Sequence, residues 1–291
     1  MNQTARLRKS GNQFRALTGI TPEKFDGLLG LLTPLFAEAD HKRLSSPERK
    51  RAVGAGRRYR TSLADRLLML LIYYRTYVTH EFIGFLFGVD DSTVSRHIRP
   101  IEPLLAKIFR IPERKVRLTE DEIAEIFFDG TEQRIQRPGK KQGKWYSGRK
   151  KTHTVKHQVV TVRGKKKPGP GKGKKRKVRI ASVSKAFRGR IHDKAIYDRV
   201  RVIPPPGTRK TADSGYRGTC LTTPHKKPRG GELTGRQKKA NRKLSSLRVS
   251  VEHGIGKMKI WRIAADRYRN ALKKHTLMFR NVAGLQNMMF A

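Results

Sequence analysis

The sequence predicts an α/β protein in which an all-α region precedes a mixed β-sheet flanked by helices. Three observations support this prediction. Before about residue 120, apolar residues recur at helical spacing. After it, short runs rich in Val, Thr and Phe indicate strands, and helical patterns return toward the end of the chain. With 291 residues, the chain is long enough for one large domain and a smaller one.

The composition indicates a partner that carries many negative charges. The formal net charge is +44 and the pI is near 11.2, so the chain attracts polyanions such as DNA, RNA or an anionic membrane surface. Its longest apolar stretch, residues 67–74, is too short to span a bilayer, and its N-terminus lacks an apolar signal core. A single cysteine, Cys220, excludes an internal disulfide and a cysteine-based zinc cage. We therefore expect a cytoplasmic protein that binds no membrane.

Residues 1–45 are predicted to form an N-terminal helical segment. Thr21 is a suitable N-cap, and Pro22 suits the first helical position. Four apolar residues then recur at helical spacing: Phe25, Leu28, Leu29 and Leu32. The basic, polar residues 41–60 predict a connector to the next group of helices.

Residues 46–118 are predicted to form a second helical domain. The stretch 63–77 is apolar on most faces and predicts a central core helix. The stretch 80–88 predicts a short helix that ends at Gly88. A short helix followed by a tight turn and a polar helix is the plan of a helix-turn-helix. An ordinary helical hairpin has the same pattern, and the high positive charge favours the nucleic-acid-binding interpretation.

The polar helix of this plan is predicted over residues 89–100, with Asp91 or Ser92 as its cap and Pro100 as its end. In a helix-turn-helix this second helix lies in the DNA major groove. Two apolar residues would face inward and five polar residues would face the DNA: Val94 and Ile98 inward, and Ser92, Thr93, Ser95, Arg96 and Arg99 outward.

Residues 119–291 are predicted to form the sheet-containing domain. An apolar run ends at Asp129 and is followed at once by Gly130, which predicts a short buried strand with an acid at its tip. Residues 153–162 and 178–186 predict two further strands. The stretch between them, RGKKKPGPGKGKKRK, contains nine basic residues and no acid. We interpret it as a hairpin tip that contacts phosphates, and the alternative is a solvated charge run with no partner.

The remaining elements alternate between helix and strand. A helix is predicted over residues 192–203 with Asp193 as its cap, and a short strand over residues 209–218 ends in Asp213 and a glycine turn. Long helices are predicted over residues 242–263 and 275–290.

Three acids in the sheet domain are candidates for chemistry. Asp129 and Asp213 both lie at predicted strand tips, where ligand sites collect in α/β sheets. Glu252 lies on a helix near several basic residues. An ion pair with Arg248, one turn earlier, would stabilise the helix by roughly 0.2–0.5 kcal/mol and would by itself explain Glu252. Alternatively, the three carboxylates converge on divalent cations that promote phosphodiester cleavage.

These acids lie in stretches that resemble the catalytic segments of DDE-superfamily insertion-sequence transposases. The similar stretches are residues 129–158, 211–218 and 246–259. The last contains the family's R-x3-E-x6-K signature: Arg248, Glu252 and Lys259. The full signature begins with a tyrosine three residues before the arginine, and this chain has Ser245 there. The resemblance covers most of residues 120–285, and the helix-turn-helix pattern precedes it as it does in the family.

The resemblance implies an RNase H-like fold in which Asp129, Asp213 and Glu252 are catalytic metal ligands. It implies two Mg²⁺ ions in the active site, with Mn²⁺ as a substitute. Lys259 would contact phosphate at the transposon end, and Arg248 would do the same or orient Glu252. Asp193 is the rival for the second ligand, and we favour Asp213 because it lies at a strand tip.

Three lysines close to the first acid in sequence are predicted to contact the DNA backbone: Lys150, Lys151 and Lys156. Such contacts position the DNA and carry no sequence specificity.

The expected function is that of a transposase. It would bind the terminal inverted repeats of its element, cleave the double-stranded DNA at the ends and transfer the strands to target DNA. A homodimer or larger assembly is expected on DNA, in the cytoplasm of a bacterium and associated with its nucleoid. The alternatives are a domesticated DDE-type nuclease that cuts without transposing and a non-enzymatic basic DNA-binding protein. A ribosomal type of RNA-binding protein is disfavoured because the acids interrupt the basic pattern.

Overall fold

The computed structural model describes residues 3–45, 52, 60–116, 118, 123–164 and 178–290. The chain divides into two compact units, Met1–Arg110 with Trp261–Ile263, and Ile111–Ile260 with Ala264–Ala291. The predicted boundary at residues 45 and 46 adjoins residues outside the described part, so that division of the first unit stays a prediction. In the part of the chain that the structure describes, no helix is long and apolar enough to cross a membrane.

The first unit is helical, as predicted. Its helices are α1 (Gln3–Arg8), α2 (Gly11–Thr18), α3 (Pro22–Leu44), α4 (Leu63–Thr76), α5 (His80–Phe87) and α6 (Asp91–Phe109). Thr21 caps α3 by accepting a hydrogen bond from the Lys24 amide, which confirms the predicted start of this helix. Residues 67–74 of α4 are buried on every face, which confirms the predicted core helix.

The turn between α5 and α6 depends on two glycines. Gly88 ends α5 as predicted, and its φ of 65° lies in the left-handed region that glycine adopts readily. A Cβ atom at Gly84 would clash with the carbonyl oxygen of Val89, so this position allows the chain to fold back closely after α5. The resulting turn brings α6 against α5, as a helix-turn-helix requires.

The predicted limits of α6 are wrong at both ends. Asp90 occupies the cap position, and the helix continues past Pro100 and Pro103 to Phe109. A proline removes one hydrogen bond from a helix interior. Here the buried face continues beyond the first proline, and its burial stabilises the helix despite that loss: Ile101, Leu104 and Leu105.

The second unit contains a mixed sheet, as predicted. Its strands are β1 (Ile123–Arg134), β2 (Tyr146–Ser147), β3 (Thr152–Gly164), β4 (Val178–Val183), β5 (Phe187–Arg188) and β6 (Arg209–Ala212). The strand order is β2-β3-β1-β6, and β4 and β5 also pair with β3. β1 pairs antiparallel with β3 and parallel with β6. β3 and β4 are antiparallel neighbours, and residues 165–177, which include most of the predicted phosphate-contacting tip, lie outside the described residues.

The prediction that the first strand ends at Asp129 is wrong. β1 keeps its pairing with β3 beyond this residue, with Gly130 opposite Gln158 and Arg134 opposite Thr154. Gly130 therefore does not form a turn. The second predicted strand end is confirmed, because β6 stops at Ala212.

The second unit also contains the remaining helices: α7 (Gln142–Trp145), α8 (Asp193–Val200), α9 (Gly235–Met258) and α11 (His275–Phe290). A short helix α10 (Arg262–Ala265) lies at the division between the units. α11 has its predicted limits, whereas α9 begins and ends earlier than predicted. The predicted cap of α8 is wrong, because His192 occupies the cap position and Asp193 is the first helical residue. Gly254 of α9 lies close to the sheet, since a Cβ atom there would be 3.1 Å from Val178 Cγ1.

Candidate active site

The parallel pairing of β1 and β6 brings two of the predicted catalytic acids together. Phe128 of β1 lies opposite Ala212, the last residue of β6, and in each case the next residue in the chain is an aspartate, Asp129 and Asp213. Neighbouring strands are about 4.8 Å apart, so these acids are neighbours across the strand pair. Asp213 follows the end of β6 and accepts a hydrogen bond of 2.8 Å from the Gly215 amide. The sheet therefore gathers residues that are far apart in sequence.

Negative charge accumulates around Asp129. Burial, the charge of Asp213 and, to a smaller extent, the charge of Asp193 together raise the pKa of Asp129 to about 6. The positive charge of Arg248 opposes the shift. Carboxylates held close together against their mutual repulsion are the arrangement that a divalent cation stabilises.

Asp193 lies beside both acids. A Cβ atom at Gly130, next to Asp129, would be 2.5 Å from Asp193 Oδ1. A Cβ atom at Gly215 would be 3.1 Å from Asp193 Oδ2 and 3.0 Å from Asp213 Oδ1. The two aspartates that the sequence presented as rivals are therefore both close to Asp129.

Lys156 forms a buried ion-pair network with Asp193. Its Nζ lies 3.3 Å from Asp193 Oδ1 and 3.2 Å from Glu132 Oε1, and it donates a hydrogen bond of 3.0 Å to the carbonyl oxygen of Ile191. Burial opposes ionisation of Glu132, but hydrogen bonding to Ser147 and the charge of Lys156 hold the pKa of Glu132 below its usual value. This placement argues against the predicted phosphate contact of Lys156, because its ammonium is turned into the protein.

Sequence reasoning missed this network because its members lie on different strands and a helix. Glu132 and Lys156 are directly opposite each other on β1 and β3. The pair can be recognised only when the register of β1 and β3 is known. Opposite charges attract across a strand pair, but they leave no local sequence pattern.

The other two predicted lysines lie close by in the chain and are accessible. Lys150 and Lys151 are exposed and follow β2. A cleft of about 640 Å³ opens at this side of the acids, and its lining includes Tyr146, Arg149 and Arg190. These exposed cations remain predicted phosphate contacts.

Helix α9 carries the signature residues Arg248 and Glu252. The charge of Arg248 acts on Asp129, and the backbone of Glu252 lies one turn further along α9. Lys259 caps the end of α9. Burial and the charge of Lys150 lower the pKa of Lys259, while the charges of Asp129 and Glu132 oppose that shift. The Glu252 side chain lies outside the described part of the structure, so its role as third ligand stays a prediction.

The oxygen atoms around Asp129 fit a hard divalent cation. Among the described side chains, no group of three or more histidines, cysteines or acids is arranged to hold a metal ion. Yet Tyr216 Oη is buried and makes no hydrogen bond within the described structure, and Asp193 Oδ1 is paired with the Lys156 ammonium at 3.3 Å. Burial and the charge of Asp193 raise the pKa of Tyr216 well above its usual value. An unsatisfied buried hydroxyl beside a carboxylate pair suits a hard divalent cation and its bound water.

In the first unit, α6 has the inward and outward faces that were predicted for it. Val94 and Ile98 are buried. The predicted DNA-facing residues are exposed or partly exposed: Ser92, Arg96 and Arg99 exposed, and Thr93 and Ser95 partly exposed. Arg96 Nη2 donates to Thr93 Oγ1 at 3.0 Å and to Ser92 Oγ at 3.3 Å, so this face is a connected polar surface.

A helix-turn-helix and a mixed sheet with neighbouring aspartates together define a class of protein that acts on DNA. Residues 128–287 match the family model described as DDE superfamily endonuclease, and residues 61–111 match that of the helix-turn-helix of DDE superfamily endonuclease. The chain therefore belongs to the DDE superfamily of insertion-sequence transposases. It is an enzyme that binds DNA and cleaves it.

Two relatives support this assignment over most of the chain. A protein of Microchaete diplosiphon, named as a probable transposase for insertion sequence element IS702, is 30% identical over 287 residues, which are 96% of this chain and 94% of that relative. A protein of Streptomyces albus G, with the name "Putative transposase for insertion sequence element IS112", is 27% identical over 251 residues, 86% of this chain and 84% of that relative. No solved structure matches the chain.

Proposed function

We propose that this transposase binds the terminal inverted repeats of its own element, cleaves the DNA at those ends and joins the released strands to target DNA. The observation that carries the proposal is the juxtaposition of Asp129 and Asp213 where β6 ends beside β1. A pair of partly buried carboxylates held side by side repels itself, and a bound cation would offset that repulsion. In a DNA-cleaving enzyme the natural cation is the divalent metal that acts on the phosphodiester.

The sheet topology supports an RNase H-like fold for the second unit. A long β1 pairs antiparallel with β3, β3 pairs with β4, and β6 lies parallel to β1 on its other side. The first acid lies on β1, the second follows β6, and Glu252 lies on α9, which packs against β1, β3 and β4. This is the order of acids that the sequence resemblance implies.

In the proposed site, Asp129, Asp213 and Glu252 hold Mg²⁺, with Mn²⁺ as a substitute. Two bound ions would activate the attacking water or 3′-hydroxyl and stabilise the leaving oxygen. Arg248 and Lys259, whose charges interact with Asp129, would hold the scissile phosphate beside the acids.

The DNA itself would be held by two surfaces. The exposed face of α6 would enter the major groove of the terminal repeat, with Arg96 and Arg99 as its cations. Lys150 and Lys151 would contact backbone phosphates near the cleaved bond. Because two ends must be joined to one target, we propose that a homodimer or larger assembly acts on the DNA, in the cytoplasm on the bacterial nucleoid.

The test is cleavage and joining of a labelled transposon end by the full-length protein. Asp129→Asn should lower the cleavage rate by about 10²–10³-fold or more, as expected for loss of a charge that stabilises the transition state. End binding, measured by gel shift, should remain. The matched control is Asp198→Asn, because Asp198 is an exposed acid on α8 that pairs only at the surface with Lys194. Unchanged cleavage in Asp129→Asn would refute the active site.

The same assay separates the transposase from a nuclease that only cuts. Joined products with unlabelled target DNA support transposition, whereas hydrolysis without joined product supports the nuclease. Short inverted repeats bounded by a direct duplication in the DNA that flanks the gene would provide independent support for transposition.

A further inference from the structure

We propose that Asp193 is a positioning residue of the active site: anchored by Lys156, its carboxylate fills the space beside Gly130 and Gly215 and so fixes where Asp129 and Asp213 stand. This inference rests on the proposed function, in which Asp129 and Asp213 hold the metal. It assigns a role to a residue outside the three-acid signature.

The first support for this role comes from the glycines beside the two acids, Gly130 and Gly215. Gly130 lies within a paired strand and Gly215 within a turn, and neither has the positive φ that requires glycine. What both positions lack is space for a side chain. At Gly130 a Cβ atom would be 2.5 Å from Asp193 Oδ1 and 2.9 Å from its Cγ, and at Gly215 it would be 3.1 Å from Oδ2. The Asp193 carboxylate therefore packs against the backbone next to each catalytic acid.

The second support comes from Lys156, which anchors Asp193. Lys156 is only 7% exposed, and its ammonium is fixed by Asp193, Glu132 and the Ile191 carbonyl oxygen at 3.0–3.3 Å. A buried ammonium with three oxygen partners cannot move without leaving a charge unpaired, which is costly. Lys156 thus ties Asp193 to β3, while β1 and the turn after β6 contact the carboxylate from other sides.

A role in starting helix α8 does not explain this arrangement. An acid in the first turn favours a helix through its dipole, but an exposed carboxylate would serve equally well. Asp193 is instead held by Lys156, whose Nζ lies 3.3 Å from its Oδ1, and its carboxylate packs against the backbone at Gly130 and Gly215. This placement is explained if the carboxylate holds metal ligands in place, because groups that orient ligands commonly affect metal affinity.

The test measures Mn²⁺ affinity of the full-length protein by electron paramagnetic resonance titration, without DNA. Asp193→Ala removes the volume of the carboxylate and should weaken Mn²⁺ binding by about 10–100-fold, the usual effect of losing a group that orients metal ligands. Asp193→Asn keeps the volume and an oxygen that accepts from Lys156, so it should lose far less affinity than Asp193→Ala. Equal losses in the two variants would show that Asp193 ligates the metal directly and would overturn the positioning role.

Gly130→Ala tests the same contact with Asp193 intact. Its Cβ atom would displace the carboxylate, so Mn²⁺ binding should weaken although no acid has been removed. In the double variant Gly130→Ala/Asp193→Ala the new methyl group partly fills the vacated space, and affinity should recover relative to Asp193→Ala. Wild-type affinity in Gly130→Ala would overturn the proposal, and this variant decides the matter even if Asp193→Ala fails to fold.

Asp129→Asn in the same titration tests the metal assignment separately from the positioning role of Asp193. If Asp129→Asn binds Mn²⁺ as the wild type does, the metal assignment itself fails and the positioning role fails with it. If Asp129→Asn loses binding while the Asp193 and Gly130 variants keep it, the proposed function stands and only the positioning role is refuted.

Discussion

At the scale of single residues, the proposed active site holds carboxylates close together although their negative charges repel one another. Asp129 is partly buried, and Asp213 and Asp193 both raise its pKa. In the proposed site, a bound cation would remove this repulsion. Stability and function therefore oppose each other at this position, as they commonly do in active sites.

This opposition predicts that Asp129→Asn stabilises the metal-free protein. In the folded protein the pKa of Asp129 is raised to about 6, above the ordinary aspartate value of about 3.9, so its ionised form destabilises the fold. That penalty is fully present above pH 6 and disappears as the pH falls toward 4. In the presence of EDTA, the variant should gain about 1–3 kcal/mol in unfolding free energy at pH 8, and almost nothing near pH 4.

The measurement is denaturant unfolding of both proteins at several pH values. Asp198→Asn is the control, since Asp198 is exposed and its pairing with Lys194 should contribute little at any pH. A gain that is equal at pH 4 and pH 8 would contradict the electrostatic explanation, because a packing effect has no such pH dependence.

At the scale of elements, helix α6 forms because the burial of its apolar face outweighs the unfavourable effect of proline inside the helix. Pro100 occupies an exposed position inside the helix and cannot donate to the carbonyl oxygen four residues earlier. Pro100→Ala should therefore stabilise the first unit. The interior penalty of proline is about 3 kcal/mol, offset in part by the greater freedom of the unfolded chain, so a gain of about 1–2 kcal/mol is expected.

Thermal unfolding of the two variants Pro100→Ala and Pro22→Ala measures this effect. Pro22 is the first residue of α3, where proline costs the helix nothing, so its replacement should give no gain. If Pro100→Ala melts at or below the wild-type temperature, the helix has adapted to proline and the explanation fails.

The helices and strands also show which structural features a local sequence pattern can predict. The N-cap of α3, the glycine that ends α5 and the apolar patterns of α3 and α4 are local, and they were predicted correctly. The continuation of β1 past Asp129 was not predicted. A glycine directly after an apolar run indicates a turn, and the sequence does not show that Asp193 occupies the space beside Gly130. The juxtaposition of Asp129 and Asp213 follows from strand pairing between distant segments, and the resemblance to a family, rather than spacing, indicated it.

At the scale of the whole molecule, the net charge of +44 governs the encounter with DNA. Every phosphate contact releases counterions, so the logarithm of the binding constant should fall steeply and linearly with the logarithm of the salt concentration. The slope counts phosphate contacts and is insensitive to base sequence. It therefore separates cations that position DNA from those that read it.

Lys150→Ala should reduce this slope by about 0.9, the contribution of one phosphate, and should weaken binding to unrelated DNA as much as to the terminal repeat. Arg99→Ala should instead lower the preference for the repeat if its guanidinium reads a base edge in the major groove. The matched control is Lys194→Ala, whose ammonium lies 2.9 Å from Asp198 Oδ2 and is already paired. Filter binding over a series of salt concentrations measures all three. An unchanged slope in Lys150→Ala would remove this residue from the DNA surface, and the exposed arginines of the neighbouring cleft, Arg149 and Arg190, would be the next to test.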